Sequence, residues 1–203
     1  MANKTQASRA GFVLAGGKSS RMGTDKALLN FAGQTLLDRA LAVMKAACGS
    51  AAIVGDPVTL ANFGRVIEDV FHSCGPLGGI HAALAASSAE FNAILAVDLP
   101  FVSSELIACL FAAAEDSAAI VTVPKTRTGF QPLCAVYRRA FCATAERALR
   151  AGHYKVDAAF ANLPLRIVEE SELARSGFSE NDFFNVNSAD QLRVAVDRLT
   201  GKD

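Results

Sequence analysis

Neither sign of charge prevails in this chain. Its 20 Lys and Arg balance 20 Asp and Glu over 203 residues, so no field favours nucleic acid or an anionic membrane surface. It also lacks any uninterrupted apolar run of membrane-spanning length. The hydrophobic fraction of 51% is inflated by alanine, and charges break every long stretch, which excludes a transmembrane helix. The start, Met1 to Arg9, is polar and has no apolar core of the secretory kind. A cytoplasmic location is therefore expected, with residues 1–10 as a flexible N-terminus. The five cysteines, Cys48, Cys74, Cys109, Cys134 and Cys142, include no C-x-x-C pair, and most sit in apolar runs, which predicts reduced core thiols. His72, Cys74 and His81 have no further Cys or His at zinc-site spacing, so a zinc site is not expected. No repeat, low-complexity run or linker divides the chain, and residues 1–203 are expected to form one domain.

Strand and helix signals alternate along that domain. Apolar Phe12 to Leu14 suits a buried strand that enters a glycine loop. Thr35 with Asp38 starts a helix whose Leu37, Leu41, Met44 and Cys48 share a face, and Gly49 stops it. Ala51 to Val54 and Arg65 to Ile67 are brief strands joined by a short connection, Val58 to Phe63. A second glycine loop, Cys74 to Gly79, leads into a helix over Ile80 to Ala86, and Asn92 to Val97 is the cleanest buried strand. Ser103 caps a helix with Leu106, Ile107, Leu110, Phe111 and Ala114 on one face. Ala118 to Val123, broken by Pro124, and Leu133 to Tyr137 look like a hairpin that adds one antiparallel strand. Helices are expected over Phe141 to Arg150 and Lys155 to Phe160, and a last strand over Leu165 to Val168. Glu169 to Asp182 shows no pattern. Phe183 to Asn187 should be extended, and Ser188 with Gln191 makes a capping box for a final helix carrying Leu192, Ala195, Val196 and Leu199. His153, Tyr154 and Lys155 fall in a loop expected to be solvated, and Phe183 and Phe184 are expected in the core. The alternation predicts an α/β fold: three layers around a mostly parallel sheet with one antiparallel strand.

Chemistry concentrates in the loop that follows the first strand. Gly16 and Gly17 allow close backbone approach to a ligand, and Lys18, Arg21 and Lys26 are opposed only by Asp25, an arrangement suited to a polyphosphate. Two familiar phosphate loops fail here. Gly17-Lys18-Ser19 matches the end of a Walker A loop, but the position of its first glycine is Phe12, and Gly11 misses by one. The dinucleotide pattern G-x-G-x-x-G fails because Lys18 stands where its second glycine belongs. Asp98, between Val97 and Leu99-Pro100, ends a central strand on the edge where α/β proteins place ligand chemistry.

The remaining pattern, L-A-G-G-x-x-x-R-M-G-x-x-K, resembles the opening motif of the molybdenum cofactor guanylyltransferase family, nucleotidyltransferases with a Rossmann-like fold. The match extends over most of the chain: Ile67-Glu68-Asp69 and Gly75 to Gly79, then Val97-Asp98-Leu99-Pro100, then Gln131 to Arg139, then Phe184-Asn185-Val186-Asn187, in the right order. The resemblance implies transfer of GMP from GTP to molybdopterin cofactor, forming molybdopterin guanine dinucleotide and releasing pyrophosphate. Leu14, Ala15, Gly16 and Gly17 would lie at the base, and Arg21 and Lys26 would cradle the triphosphate. Asp69 and Gly78 would contact the nucleotide, Asp98 would hold Mg²⁺, and Asn185 and Asn187 would face the pterin. Asn185 and Asn187 have a structural alternative, bonding to local backbone before the last helix. CTP-using relatives tend to carry L-A-A-G, so Gly16-Gly17 favours GTP. Members often carry Asn where this chain has Gly55, and Asp56 is a candidate to take over that contact. Two alternatives stand beside this reading: a cytidylyltransferase or sugar- or alcohol-phosphate relative, and a non-catalytic nucleotide-binding adaptor in cofactor delivery. Against the adaptor, Lys26, Asp69 and Asp98 are all retained. A monomer that meets molybdoenzyme-maturation proteins is expected.

Overall fold

The computed structural model describes residues 8–16 and 26–201. In chain order its elements are β1 (Arg9–Leu14), β2 (Asn30–Phe31), β3 (Gln34–Thr35), α1 (Leu36–Cys48), β4 (Ala51–Val54), α2 (Pro57–Leu60) and β5 (Val66–Ile67). There follow α3 (Pro76–Ala85), β6 (Phe91–Ala96), α4 (Ser104–Glu115), β7 (Val121–Thr126), β8 (Gly129–Phe130), β9 (Cys134–Arg138), α5 (Phe141–Arg150), β10 (Leu165–Glu169), α6 (Glu170–Arg175) and α7 (Ala189–Thr200). The main sheet runs β10-β7-β9-β6-β1-β4-β5, with β8 paired to β7 beside it. β1 lies parallel between β4 and β6, and β9 is antiparallel to both β6 and β7. This is the expected three-layer, mostly parallel sheet with its antiparallel insertion.

Alternation along β1 divides the core. Val13 faces a cluster with Leu37, Met44, Leu106, Leu110 and Phe111 from α1 and α4, while Phe12 and Leu14 face Ile80, Leu84, Tyr137 and Phe141 on the side of α3 and α5. Burial on both faces explains why this strand is continuously apolar. α1 forms as its sequence dictates: Thr35 Oγ1 accepts from Asp38 N at 3.0 Å, and Gly49 ends the helix at φ 77°, donating its N–H to the Lys45 carbonyl.

Several boundaries differ from the sequence reading, each for a physical reason. β1 begins at Arg9, because Phe91 N already bonds to the Ser8 carbonyl and the ladder with β6 starts there. α3 begins at Pro76 rather than Ile80, so the glycine pair is its first turn and not a loop. Pro76 has its φ preset for the first helical position, and Gly78 permits close packing: a Cβ there would meet the Phe71 carbonyl oxygen at 3.0 Å. β7 starts three residues later than expected and passes through Pro124. The Pro124 carbonyl accepts from Gln131 N on the hairpin side, where β9 has already stopped pairing, so the missing proline donor interrupts no ladder. The stretch without pattern contains α6 and a 3-10 turn, Glu180–Phe183, capped by Ser179 with Asp182. Glu180 fastens this segment to the β7–β8 hairpin by accepting from Thr128 N and Arg127. Of the cysteines, only Cys134 is fully buried; the other four, also free thiols, are half-buried rather than core. Leu199, expected on the buried face of α7, is 44% exposed, and Ala195 is the residue that this helix buries fully.

Candidate active site

Four backbone bonds align the carboxyl edge of the sheet. Val97 N donates to the Leu14 carbonyl at 3.0 Å, Ala15 N to Val54 at 2.9 Å, and Gly55 N to Ile67 at 3.0 Å, so the ends of β6, β1, β4 and β5 stand level. On the far side, Ala96 N bonds to Leu133. Loops leaving this edge carry Asp98, Gly16, Asp56 and Asp69. The order β6-β1-β4, with connections leaving β1 to either side, is where open α/β sheets bind ligands.

Three predicted residues meet directly. Lys26 Nζ donates to Asp98 Oδ2 at 2.5 Å and to Asn187 Oδ1 at 2.8 Å, from positions 72 and 161 residues apart along the chain. The Lys26 and Asp98 side chains are only 16% and 18% exposed, so this pair is screened far less than a surface salt bridge. The segments that carry them are held together from behind by rings: Phe31 packs on Phe101 at 6.0 Å between centroids, and Phe101 on Phe184 at 6.1 Å. Arg39 Nε donates to the Pro100 carbonyl, and Arg198 lies 4.6 Å over the Phe184 ring. Val186 N donates to the Asp98 carbonyl at 2.9 Å, which docks the Asn185–Asn187 segment on the end of β6. Asn185 is exposed on that segment, and its side chain bonds to none of the three.

A second group forms at β1 and α3. Leu14 and Ala15 are buried and Gly16 is exposed. A Cβ on Gly79 would sit 3.3 Å from Leu14 Cδ2 and 3.7 Å from Asp69 Oδ1, so this glycine keeps space open beside the carboxylate. Gly78, the predicted contact, is buried in the first turn of α3, where a Cβ would meet the Phe71 carbonyl oxygen at 3.0 Å. Burial pushes the Asp69 carboxyl above the ordinary range, opposed by the nearby His72 and His81. Among the described residues Asp69 Oδ1 and Asp98 Oδ1 are both buried without a hydrogen-bond partner, and unpaired buried acceptors of this kind mark places for an arriving donor or cation.

Asp56 has a structural role after the end of β4. Its two oxygens accept from Val58 N and Thr59 Oγ1, each at 2.9 Å, and cap α2. Gly55 has a packing reason: a Cβ there would meet Leu60 Cδ1 at 2.7 Å. Gly17 and Arg21, together with Lys18, lie outside the described residues. Gln191, noted in the sequence only as the capping-box partner of Ser188, accepts from Asn187 N at 2.6 Å and so adjoins the cluster.

A single carboxylate with a free buried oxygen suits Mg²⁺, which is commonly held by one or two carboxylates together with waters and substrate phosphates. Among the described residues no three His, Cys, Asp or Glu side chains cluster as a metal cage.

A family model described as the MobA-like NTP transferase domain matches residues 11–167. The chain belongs to the MobA-like NTP transferase family. Members of this family share more than the domain with it: a molybdenum cofactor guanylyltransferase of Desulfosudis oleivorans is 34% identical over 188 residues, covering 91% of this chain and 93% of the relative. The solved structure of molybdopterin-guanine dinucleotide biosynthesis protein A from Archaeoglobus fulgidus superimposes with TM-score 0.83 at 25% identity, covering 95% of this chain and 99% of that one. A 4-diphosphocytidyl-2C-methyl-D-erythritol synthase from Anaerococcus prevotii, 15% identical, covers 96% of each chain with TM-score 0.72 and shares the fold. As a MobA-like protein the chain is a nucleotidyltransferase, and the Lys26–Asp98–Asn187 cluster lies at the carboxyl edge of its sheet.

Proposed function

We propose that this protein transfers GMP from GTP to the terminal phosphate of molybdopterin cofactor, releasing pyrophosphate and leaving molybdopterin guanine dinucleotide. The observation that carries this reading is the Lys26–Asp98–Asn187 cluster at the carboxyl edge of the sheet, in a chain 34% identical to a relative named for that activity. In the reaction an oxygen of the acceptor phosphate attacks the α-phosphorus of GTP. A new P–O bond forms as the α–β bridge breaks, and the bridging electron pair leaves with pyrophosphate. Two polyanions must meet, so the site has to offset charge and hold both ends in line.

Lys26 offers the ammonium for this. Two of its three N–H donors are committed to Asp98 and Asn187, and the third would serve a phosphate oxygen. Arg21 would add a second cation. Asp98 would hold Mg²⁺, which when bound neutralises phosphate charge and favours departure of pyrophosphate. Asp69 supplies an acceptor for nucleotide donors; guanine offers N1–H and N2–H together, whereas cytosine presents only its exocyclic amine. Leu14 to Gly17 would border the base, and Asn185 and Asn187 the pterin.

The test is incubation with Mg²⁺, molybdopterin and either GTP or CTP. Pyrophosphate release with GTP and little with CTP is expected. Release with CTP alone would transfer the reading to a cytidylyltransferase.

A further inference from the structure

The third residue of α7, Gln191, reaches beyond its own helix. Gln191 N donates to Ser188 Oγ at 3.2 Å, the ordinary half of a capping box. In the ordinary second half the side chain would return to the Ser188 N–H, but Gln191 Oε1 accepts from Asn187 N at 2.6 Å, one residue earlier. Asn187 is exposed, so without Gln191 its N–H could bond to water at little cost, and folding alone does not demand this bond. The bond matters for what Asn187 holds. Lys26 Nζ donates to Asn187 Oδ1 and to Asp98 Oδ2, and the Asp98 carbonyl accepts from Val186 N, the neighbour of Asn187. The circuit closes on itself, and Gln191 is the one member that joins it to the regular backbone of α7.

We propose that Gln191 is a positioning residue for the transfer: by fixing the Asn187 peptide it stations Asn187 Oδ1, and through it the Lys26 ammonium beside Asp98. This deepens the reading under Proposed function and rests on it for the role of Lys26. A free lysine chain has four rotatable bonds and loses considerable rotamer entropy when it settles in one geometry. Two fixed acceptors remove that freedom before the nucleotide arrives, and the position of one acceptor depends on Gln191. With the Asn187 peptide released, the ammonium would keep Asp98 but wander about it, and its third donor would lose its aim.

The experiment compares Gln191→Ala, Gln191→Glu, Asn187→Ala and the Gln191→Ala/Asn187→Ala double variant by two readouts. The first needs no turnover: competitive acetylation of the folded protein with trace acetic anhydride, the modification of Lys26 measured by peptide mass spectrometry against Lys125 as internal control. Lys26 should label several-fold faster in Gln191→Ala and in Asn187→Ala, no faster still in the double variant, and at the parent rate in Gln191→Glu, which keeps an acceptor oxygen. The second is kinetic: kcat/KM for GTP should fall about tenfold in Gln191→Ala, in line with losses of outer supporting residues at charged sites, with the double variant no worse than Asn187→Ala. Unchanged Lys26 labelling, or additive losses in the double variant, would overturn the proposal. A merely structural cap would lower the urea midpoint of Gln191→Ala without moving Lys26 reactivity, and that too would overturn it. If the parent made no product from GTP while the labelling pattern held, the positioning role would stand and the assigned reaction would fall.

Discussion

Asp98→Asn perturbs the centre of the site with almost no change of shape. In the parent the Asp98 carboxylate accepts from Lys26 at 2.5 Å with both side chains more than four-fifths covered, and its second oxygen is buried with no partner among the described residues. The amide keeps a carbonyl acceptor for Lys26 but removes the charge that compensates the ammonium. Breaking a fully buried pair costs about 3–5 kcal/mol and an exposed one under about 1 kcal/mol. This pair is partly screened, and Asn187 Oδ1 still holds Lys26 at 2.8 Å, so a loss of about 1–3 kcal/mol in folding stability is expected. The catalytic loss should be larger. Removing a group that offsets charge developing at the reacting centre costs about 10²–10³ in kcat, and Asp98 is the metal-binding carboxylate of the proposed site. Urea unfolding without ligands gives the first number, and pyrophosphate release at saturating GTP with a Mg²⁺ titration gives the second. Turnover at the parent rate with the same Mg²⁺ dependence would refute the assignment of Asp98.

Other perturbations test the surrounding structure. Asp69 titrates above its ordinary range because it is buried, so the folded state holds a proton that the unfolded chain has already released. Its contribution to stability therefore falls as pH rises from about 4 toward neutrality; Asp69→Asn should be the more stable protein at neutral pH, the gap closing near pH 4, and a gap that widens on acidification would contradict this. Gly78→Ala would put a methyl against the Phe71 carbonyl oxygen at 3.0 Å, backbone that yields poorly, and should cost about 1–3 kcal/mol by urea unfolding, against the small gain that alanine brings to an exposed helix. Burial pushes Cys48 up to about 11 and Cys134 higher still, so with an aromatic disulfide reagent at pH 8 these two thiols should react last in the folded protein; early labelling of Cys134 would show that the core beside β9 opens readily.

The sequence disclosed what local rules govern. The cap at Thr35, the periodic face of α1 and the stop at Gly49 lie within one helix, and all appear as expected. Where a local rule was overridden, a neighbour distant in sequence was responsible. Gly78 and Gly79 look like a loop until the close approach of Phe71 and Leu14 is known, and Pro124 looks like a strand end until β9 is seen to stop short of it. α6 is short and anchored by Leu173 alone among its fully buried residues, too little periodicity to detect. The site divides in the same way. Lys26, Asp98 and Asn187 share no local pattern, and only resemblance grouped them; their contact depends on the Phe31–Phe101–Phe184 stack. Asp56 reads in the sequence only as a ligand contact, whereas its capping of α2 belongs to the backbone of the next element.

The central claim concerns which atoms move from the nucleotide to the pterin, and the product answers it. Purified protein incubated with Mg²⁺, molybdopterin and GTP labelled at the α-phosphorus should yield a pterin whose mass has grown by one GMP unit less water and which carries the label, with unlabelled pyrophosphate released in equal amount. Label that remained in GTP, or that appeared as free GMP while the pterin kept its mass, would contradict the account.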